Sequence, residues 1–227
     1  MRIVFVRHGD PDYRNDCLTP LGRLQAKAAA ARLREEEDIR EIYSSTCGRA
    51  LETAAYASEA LGVGPVRELP FMEEVRWGSR DGTPILANGH PWIAANEMAR
   101  TGADLTDPNW REHPLFKNNI VTDVADEIGK GIDGWLASLG YLREGLYYRC
   151  ARETDEEYTV ALFSHGGSSA AAMGHILNLT FPYMCAVLHI PFTGITVIRM
   201  ERRPGGIGLP VLESAGDGRH IRGVALE

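Results

Sequence analysis

Short apolar runs that stop at polar or glycine-rich junctions alternate along this chain with longer stretches whose apolar residues recur at helical spacing. Ile3-Val4-Phe5-Val6 is β-branched and aromatic and predicts a buried strand, which runs into Arg7-His8-Gly9 and the turn-forming Asp10-Pro11-Asp12. Thr19-Pro20 reads as N-cap plus first helical residue, and Leu21, Leu24, Ala28, Ala31 and Leu33 carry a helix to about Glu36. Ile39 to Ser44 predicts a second strand, opening onto a helix with Arg49 in its first turn; a third strand is expected over 65–69. Residues 71–82 follow neither period and predict a loop. Val124, Ile128, Ile132, Trp135 and Leu139 mark one face of a helix from about Thr122 to Leu139. Tyr158 to Phe163 predicts a strand that ends in Ser164-His165-Gly166-Gly167 and passes directly into a helix. Residues 193–200 and 209–213 close the chain as an antiparallel pair.

Strand–helix alternation of this kind predicts an α/β fold with a mostly parallel central sheet, helices on both faces and one antiparallel edge strand. Residues 83–118 interrupt it with Pro84, Pro91, Pro108 and Pro114, together with Trp92, Trp110, His90 and His113. A helix is expected over 92–100; the rest reads as a helical and irregular insertion over the active site. A length of 227 residues, 44% hydrophobic and 24% charged, suits one domain over 1–227 with a sizeable core. The net charge of -7 weighs against nucleic acid or an anionic membrane as partner. Cys17, Cys47, Cys150 and Cys185 have neither disulfide-scaffold nor zinc spacing, so free thiols and no metal are expected. The apolar run after Met1-Arg2 is too short for a signal-peptide core, and no run approaches the ~18 residues of a membrane span, so the expected location is cytoplasmic.

The candidate chemistry sits at the strand ends. Arg7, His8, Arg49 and His165 each lie at or just beyond the carboxyl end of a predicted strand, where open α/β sheets bind ligands. A cation in the first turn of a helix is unfavourable, so Arg49 makes sense if an anion is held at that helix start. Two arginines suit a tetrahedral oxyanion; two imidazoles offer one nucleophile and one further donor, which is what phosphoryl transfer needs. A carboxyl of the Glu73-Glu74 pair, held beside Trp77 or a core face, would have a raised pKa and serve as proton donor. Trp77, Trp92 and Trp110 suit the walls of an apolar pocket, although core packing explains them equally. His175 and His189 read as structural; for His90 and His113 a solvated or capping role is weighed above one facing substrate.

Together these motifs resemble the histidine phosphatase superfamily, the group that includes the cofactor-dependent phosphoglycerate mutases. The resemblance covers essentially the whole chain. It rests on Val6-Arg7-His8-Gly9, on Leu18-Thr19-Pro20-Leu21-Gly22 with Gln25-Ala26, and on Ser44-Ser45 with Arg49-Ala50 and Glu52-Thr53-Ala54. Glu74 spaced from Gly78, Asp81 and Gly82 continues it, as do Ser164-His165-Gly166-Gly167 and the late Asp217-Gly218-Arg219-His220-Ile221. The resemblance implies His8 as nucleophile through a phosphohistidine, and Arg7, Arg49 and His165 as holders of the phosphoryl oxygens. It implies Glu74 as proton donor, Asp81 as a secondary acid, and Asn15, Thr19 and Gly166 as substrate contacts. It implies a small phosphorylated substrate, no cofactor and no metal, with a homodimer as the assembly left open. Family mutases carry extra basic residues after the Glu loop. Here that position reads Asp81-Gly82-Thr83-Pro84-Ile85-Leu86-Ala87-Asn88, which favours a phosphomonoester hydrolase over a mutase, unless Arg76, Arg80, Arg111 and Lys117 fold over the site. The intact His8, Arg49, Glu74 and His165 weigh against a non-catalytic phospho-ligand sensor.

Overall fold

The structure, a computed structural model, describes residues 1–225. Its first half runs through β1 (Arg2–Arg7), β2 (Pro11–Asp12), β3 (Cys17–Leu18), α1 (Pro20–Glu36), β4 (Ile39–Ser44), α2 (Gly48–Leu61), β5 (Arg67–Glu68), α3 (Pro91–Arg100) and α4 (Val121–Ser138). The second half adds β6 (Tyr141–Glu144), β7 (Tyr147–Cys150), β8 (Thr159–Ser164), α5 (Gly166–Leu177), α6 (Phe181–Val187), β9 (Ile195–Arg199), β10 (Ile207–Gly208) and β11 (Val211–Asp217).

Six strands form the central sheet in the order β11-β9-β1-β8-β4-β5. β1, β8, β4 and β5 are mutually parallel, and β9 is antiparallel to both of its neighbours. The sheet is therefore mostly parallel, as expected, and its antiparallel strand lies one place in from the edge because β11 returns outside it. β1 shows why the fold takes hold. Ile3 and Phe5 face one apolar layer with α3, α4, α5 and α6, while Val4 and Val6 face another with α1 and α2. A strand covered on both faces has to read as a continuous apolar run. All four side chains are at most 1% exposed, and burying each contributes about 1.5–3 kcal/mol.

Three parts differ from expectation. The third strand shrinks to Arg67–Glu68 at the sheet edge, since Pro65 has no N–H to give the ladder. Residues 140–150 form a hairpin, β6–β7, joined by β10 in a separate three-stranded sheet. Its apolar face is little more than Tyr141, Tyr148 and Cys150, and the intervening charges hide the alternation. α6 is a short helix capped by Thr180, with Pro182 in its first turn. No single helix among the described residues is long and apolar enough to cross a membrane.

Candidate active site

Strand register brings the site together. Parallel pairing sets Arg7 opposite Ser164, and Ser44 opposite Phe163. The residues that follow therefore emerge side by side, held by His8 N donating to Ser164 O (2.9 Å) and Ser45 N donating to Phe163 O (2.9 Å). The His8 and His165 rings meet edge to face with centroids 5.1 Å apart, and both are buried.

His8 Nδ1 lies 2.7 Å from Gly9 O. A carbonyl only accepts, so Nδ1 carries the hydrogen and Nε2 keeps a lone pair. Burial lowers the His8 pKa to about 3; the Gly9 bond opposes this, and Arg7 and Arg49 add to it. His165 sits at the start of α5, its Nε2 2.8 Å from Ser45 Oγ. That hydroxyl also accepts from Cys47 N (3.2 Å). When Ser45 donates to Nε2, the His165 hydrogen is on Nδ1. Burial, then His8 and the two arginines, bring the His165 pKa down to about 2.

Three buried nitrogens near His8 have no partner among the described residues: Arg7 Nε and Arg49 Nε, both donors, and His165 Nδ1, a donor in that tautomer. Leaving one such group unpaired typically costs about 1–3 kcal/mol, so three in one place call for an acceptor. Arg7 is held from behind by Nη1 donating to Ile190 O (2.7 Å) and by the Phe192 ring, 4.3 Å from its guanidinium carbon. Arg49 lies in the first turn of α2, as expected, but the acid beside it is internal. The Asp16 carboxylate pairs with Arg49 Nη1 and accepts from Gly48 N (2.7 Å), so it takes the helix-start position proposed for a bound anion. Arg49 presents its Nε edge instead.

Glu74, not Glu73, faces the site. Glu74 Oε1 accepts from Val75 N (2.9 Å), Gly167 N (3.0 Å) and Ser168 N (3.2 Å). Burial nevertheless raises its pKa, prevailing over these bonds and the nearby Arg7. Glycine is required at 167, because a Cβ there would stand 2.2 Å from Val75 Cγ2 and 2.6 Å from Glu74 Oε1. Glu73 is exposed and bonded to the Thr46 hydroxyl.

A cleft of about 290 Å³ opens from Arg7, Glu74 and Gly166. Tyr13, Trp77, His90, Trp92, Leu188, His189 and Ile190 complete its wall. Residues 83–118 thus contribute His90 and Trp92 to it. Asn15 and Thr19 do not line it. Asn15 is exposed and donates to Asp12 (2.7 Å), while Thr19 caps α1 by accepting from Gly22 N and donates to Asp10 Oδ2 (2.5 Å). Asp81 is exposed, tied to Ser79, Thr83 and Asn118, and held well below the usual carboxylate range by those bonds, so it has no proton to give. Trp110 packs in the core against Phe116 and Phe181. Arg80, Arg111 and Lys117 pair with Asp123, Asp126 and Glu112. A larger cavity of about 540 Å³ lies elsewhere, between α4 and α5, and holds none of the strand-end residues.

Sequence reasoning missed Ser45, Tyr13, Asp16 and His189 as contributors, and it ranked a substrate-facing His90 below a solvated or capping one. Ser45 had a signal, its place one residue past a strand end. Asp16 had none, because its partner is thirty-three residues away.

Residues 3–114 match the model of the histidine phosphatase superfamily, branch 1. No curated protein sequence matches. Among solved structures, a mycobacterial glucosyl-3-phosphoglycerate phosphatase in complex with inorganic phosphate is 25% identical, with a TM-score of 0.63 over 97% of this chain and 99% of that one. A mutant phosphoserine phosphatase from Entamoeba histolytica, in complex with phosphoserine, shares the fold at 22% identity and a TM-score of 0.61, over 97% and 99% of the two chains. A protein named mycobacterial hydrolase 1 is 26% identical, with a TM-score of 0.63 over 95% and 98%. The matched residues run from β1 past α3 and take in Arg7, His8, Arg49 and Glu74, and the fold likeness extends over the remainder: the chain belongs to the histidine phosphatase superfamily.

Proposed function

We propose that this protein hydrolyses phosphomonoesters of small metabolites through a phosphohistidine at His8. One observation carries the reading. A neutral imidazole with a free Nε2 lone pair stands among three buried nitrogens, Arg7 Nε, Arg49 Nε and His165 Nδ1, that lack a partner among the described residues. A phosphoryl group supplies three acceptor oxygens and an electrophilic centre at once.

In the first step His8 Nε2 attacks phosphorus in line. The N–P bond forms, the P–O bond to the alcohol breaks, and Glu74 gives its proton to the departing oxygen. The two arginines and His165 Nδ1–H hold the equatorial oxygens as charge spreads over them. In the second step Glu74, now a carboxylate, takes a proton from water as the water oxygen attacks phosphorus. The N–P bond breaks and inorganic phosphate leaves. The His8 Nδ1–H···O=C bond to Gly9 holds the ring in the nucleophilic tautomer and takes up the positive charge that develops on it.

The mutase reading fits less well, because Arg80, Arg111 and Lys117 are paired on other surfaces, and Arg76, exposed, does not line the cleft. The test is a steady-state assay of the purified protein on a chromogenic phosphomonoester, with and without EDTA, beside His8→Ala. Turnover that survives EDTA, is lost in the variant, and yields an acid-labile phosphoenzyme on rapid quenching is the expected result. Turnover retained by His8→Ala overturns the mechanism, and phosphate binding without turnover overturns the activity.

A further inference from the structure

One part of the cleft wall is a run of three rings in contact. Trp77 and His90 meet edge to face at 4.9 Å between centroids, and His90 and Trp92 lie 5.5 Å apart. Trp92 reaches the phosphoryl end, since its Cζ2 would be 3.8 Å from a Cβ built at Gly166, a position that also meets the Arg7 guanidinium at 3.7 Å. Tyr13 lines the same cleft and lies under Arg49, 5.4 Å from ring centre to guanidinium carbon. His90 Nδ1 is buried and has no partner among the described residues, the fourth such nitrogen there in or beside this one cleft.

The wall also lacks something a charged substrate would need. Among the described residues that line it, Arg7 is the one arginine or lysine, committed to the phosphoryl end and to Ile190 O, and Glu74 is the one carboxyl. A second anionic group on the substrate would enter this cleft unpaired, at a cost that discriminates strongly. A flat uncharged ring would instead lie against indole faces, where stacking adds to simple burial.

From this arrangement we infer that the alcohol released by the enzyme is an uncharged ring compound, clamped by Trp77, His90 and Trp92, and that these three residues determine specificity. The inference rests on the phosphatase reading above. The ring's flat face meets the indoles, and a hydrogen-bonding substituent on it meets His90. Aromatic rings and sugar rings share this chemistry and differ in that substituent.

The test compares four esters of primary alcohols, so that leaving-group reactivity is nearly constant: benzyl phosphate, glucose 6-phosphate, n-propyl phosphate and 3-phosphoglycerate. The expected order of kcat/KM places both ring esters at least tenfold above propyl phosphate, with 3-phosphoglycerate lowest. Trp92→Ala and Trp77→Ala each lower kcat/KM for the ring esters by about 10–100-fold, and lower it at least tenfold less for propyl phosphate, so the ratio of ring ester to propyl ester collapses. Trp92→Phe recovers most of the loss, which separates stacking from folding. His90→Ala affects glucose 6-phosphate more than benzyl phosphate. Equal turnover of propyl and ring esters, or preference for 3-phosphoglycerate, overturns the inference and leaves the phosphatase intact. Hydrolysis of none of the four, with inorganic phosphate still bound, removes the phosphatase reading itself.

Discussion

Glu74→Gln separates proton donation from every other contribution of that side chain. Glutamine keeps the shape, and its carbonyl oxygen can still accept from Val75, Gly167 and Ser168, which all bond to Oε1 in the wild type. Only the proton on Oε2 is lost. Burial holds that proton at a pH where an ordinary carboxylate is ionised. A positioned general acid is worth about 10²–10⁴ in rate, or about 3–5 kcal/mol of barrier, when the leaving group needs a proton. The pre-steady-state release of alcohol from an alkyl phosphate should therefore fall by about 10²–10⁴ in the variant. Release of 4-nitrophenol, stable as its anion, should fall by less than about tenfold. The steady state slows for both esters, because dephosphorylation has lost its base. The pH profile supplies a second readout. Activity on the alkyl ester should decline as pH rises through the raised Glu74 pKa, and that alkaline limb should vanish in the variant's burst phase. Equal losses for the two leaving groups would refute proton donation and recast Glu74 as an electrostatic neighbour of Arg7.

Ser45→Ala removes the hydroxyl that fixes the His165 tautomer. It should lower kcat by about tenfold with KM little changed, shift the His165 ring ¹⁵N resonances away from the Nδ1–H form, and be rescued by Ser45→Thr. Gly167→Ala drives a methyl into Val75 and the Glu74 carboxyl, so overpacking should cost about 1–3 kcal/mol, seen as a melting temperature lower by roughly 2–10 °C and a matching loss of kcat. Burial keeps His8 and His165 neutral, with folded pKa values of about 3 and about 2, far below the ordinary 6.5. For a depressed imidazole the folded state binds fewer protons than the unfolded one, so its contribution is intact above pH 6.5 and erodes as pH falls toward the folded value. Urea unfolding should show stability falling by up to about 1.4 kcal/mol per pH unit for each histidine between pH 6 and 4. In His8→Gln/His165→Gln that slope should flatten, and an unchanged slope would show that neither group is buried neutral.

The sheet and the four strand-end residues were legible because both follow from local pattern. A β-branched run predicts a buried strand, parallel strands end together, and Arg7, His8, Arg49 and His165 follow the three strand ends. Several conspicuous motif residues turn out to brace this frame. Gln25 Oε1 accepts from Asp10 N, Glu52 from Leu18 N, and Thr53 Oγ1 from Gly9 N. Thr19 belongs with them, so a motif position expected to touch substrate instead fixes the loop that carries Tyr13 and Asp16. What the sequence could not display is pairing across distance. Asp16 reaches Arg49 because the 10–18 loop is folded back over α2, with Gly48 drawn so close that a Cβ there would stand 2.2 Å from Asp16 O. Dipole reasoning asked for an anion at that helix start; it had no means of telling a substrate from the chain's own carboxylate. The same limit blurred the ring wall. Trp77 and Trp92 read as pocket walls no more strongly than Trp110, which packs in the core, and nothing along the chain places His90 between them. Strand-end chemistry is thus written locally and specificity is written in loop packing. The phosphoryl end of the reaction was therefore readable first, and the alcohol end waited for the three-dimensional structure.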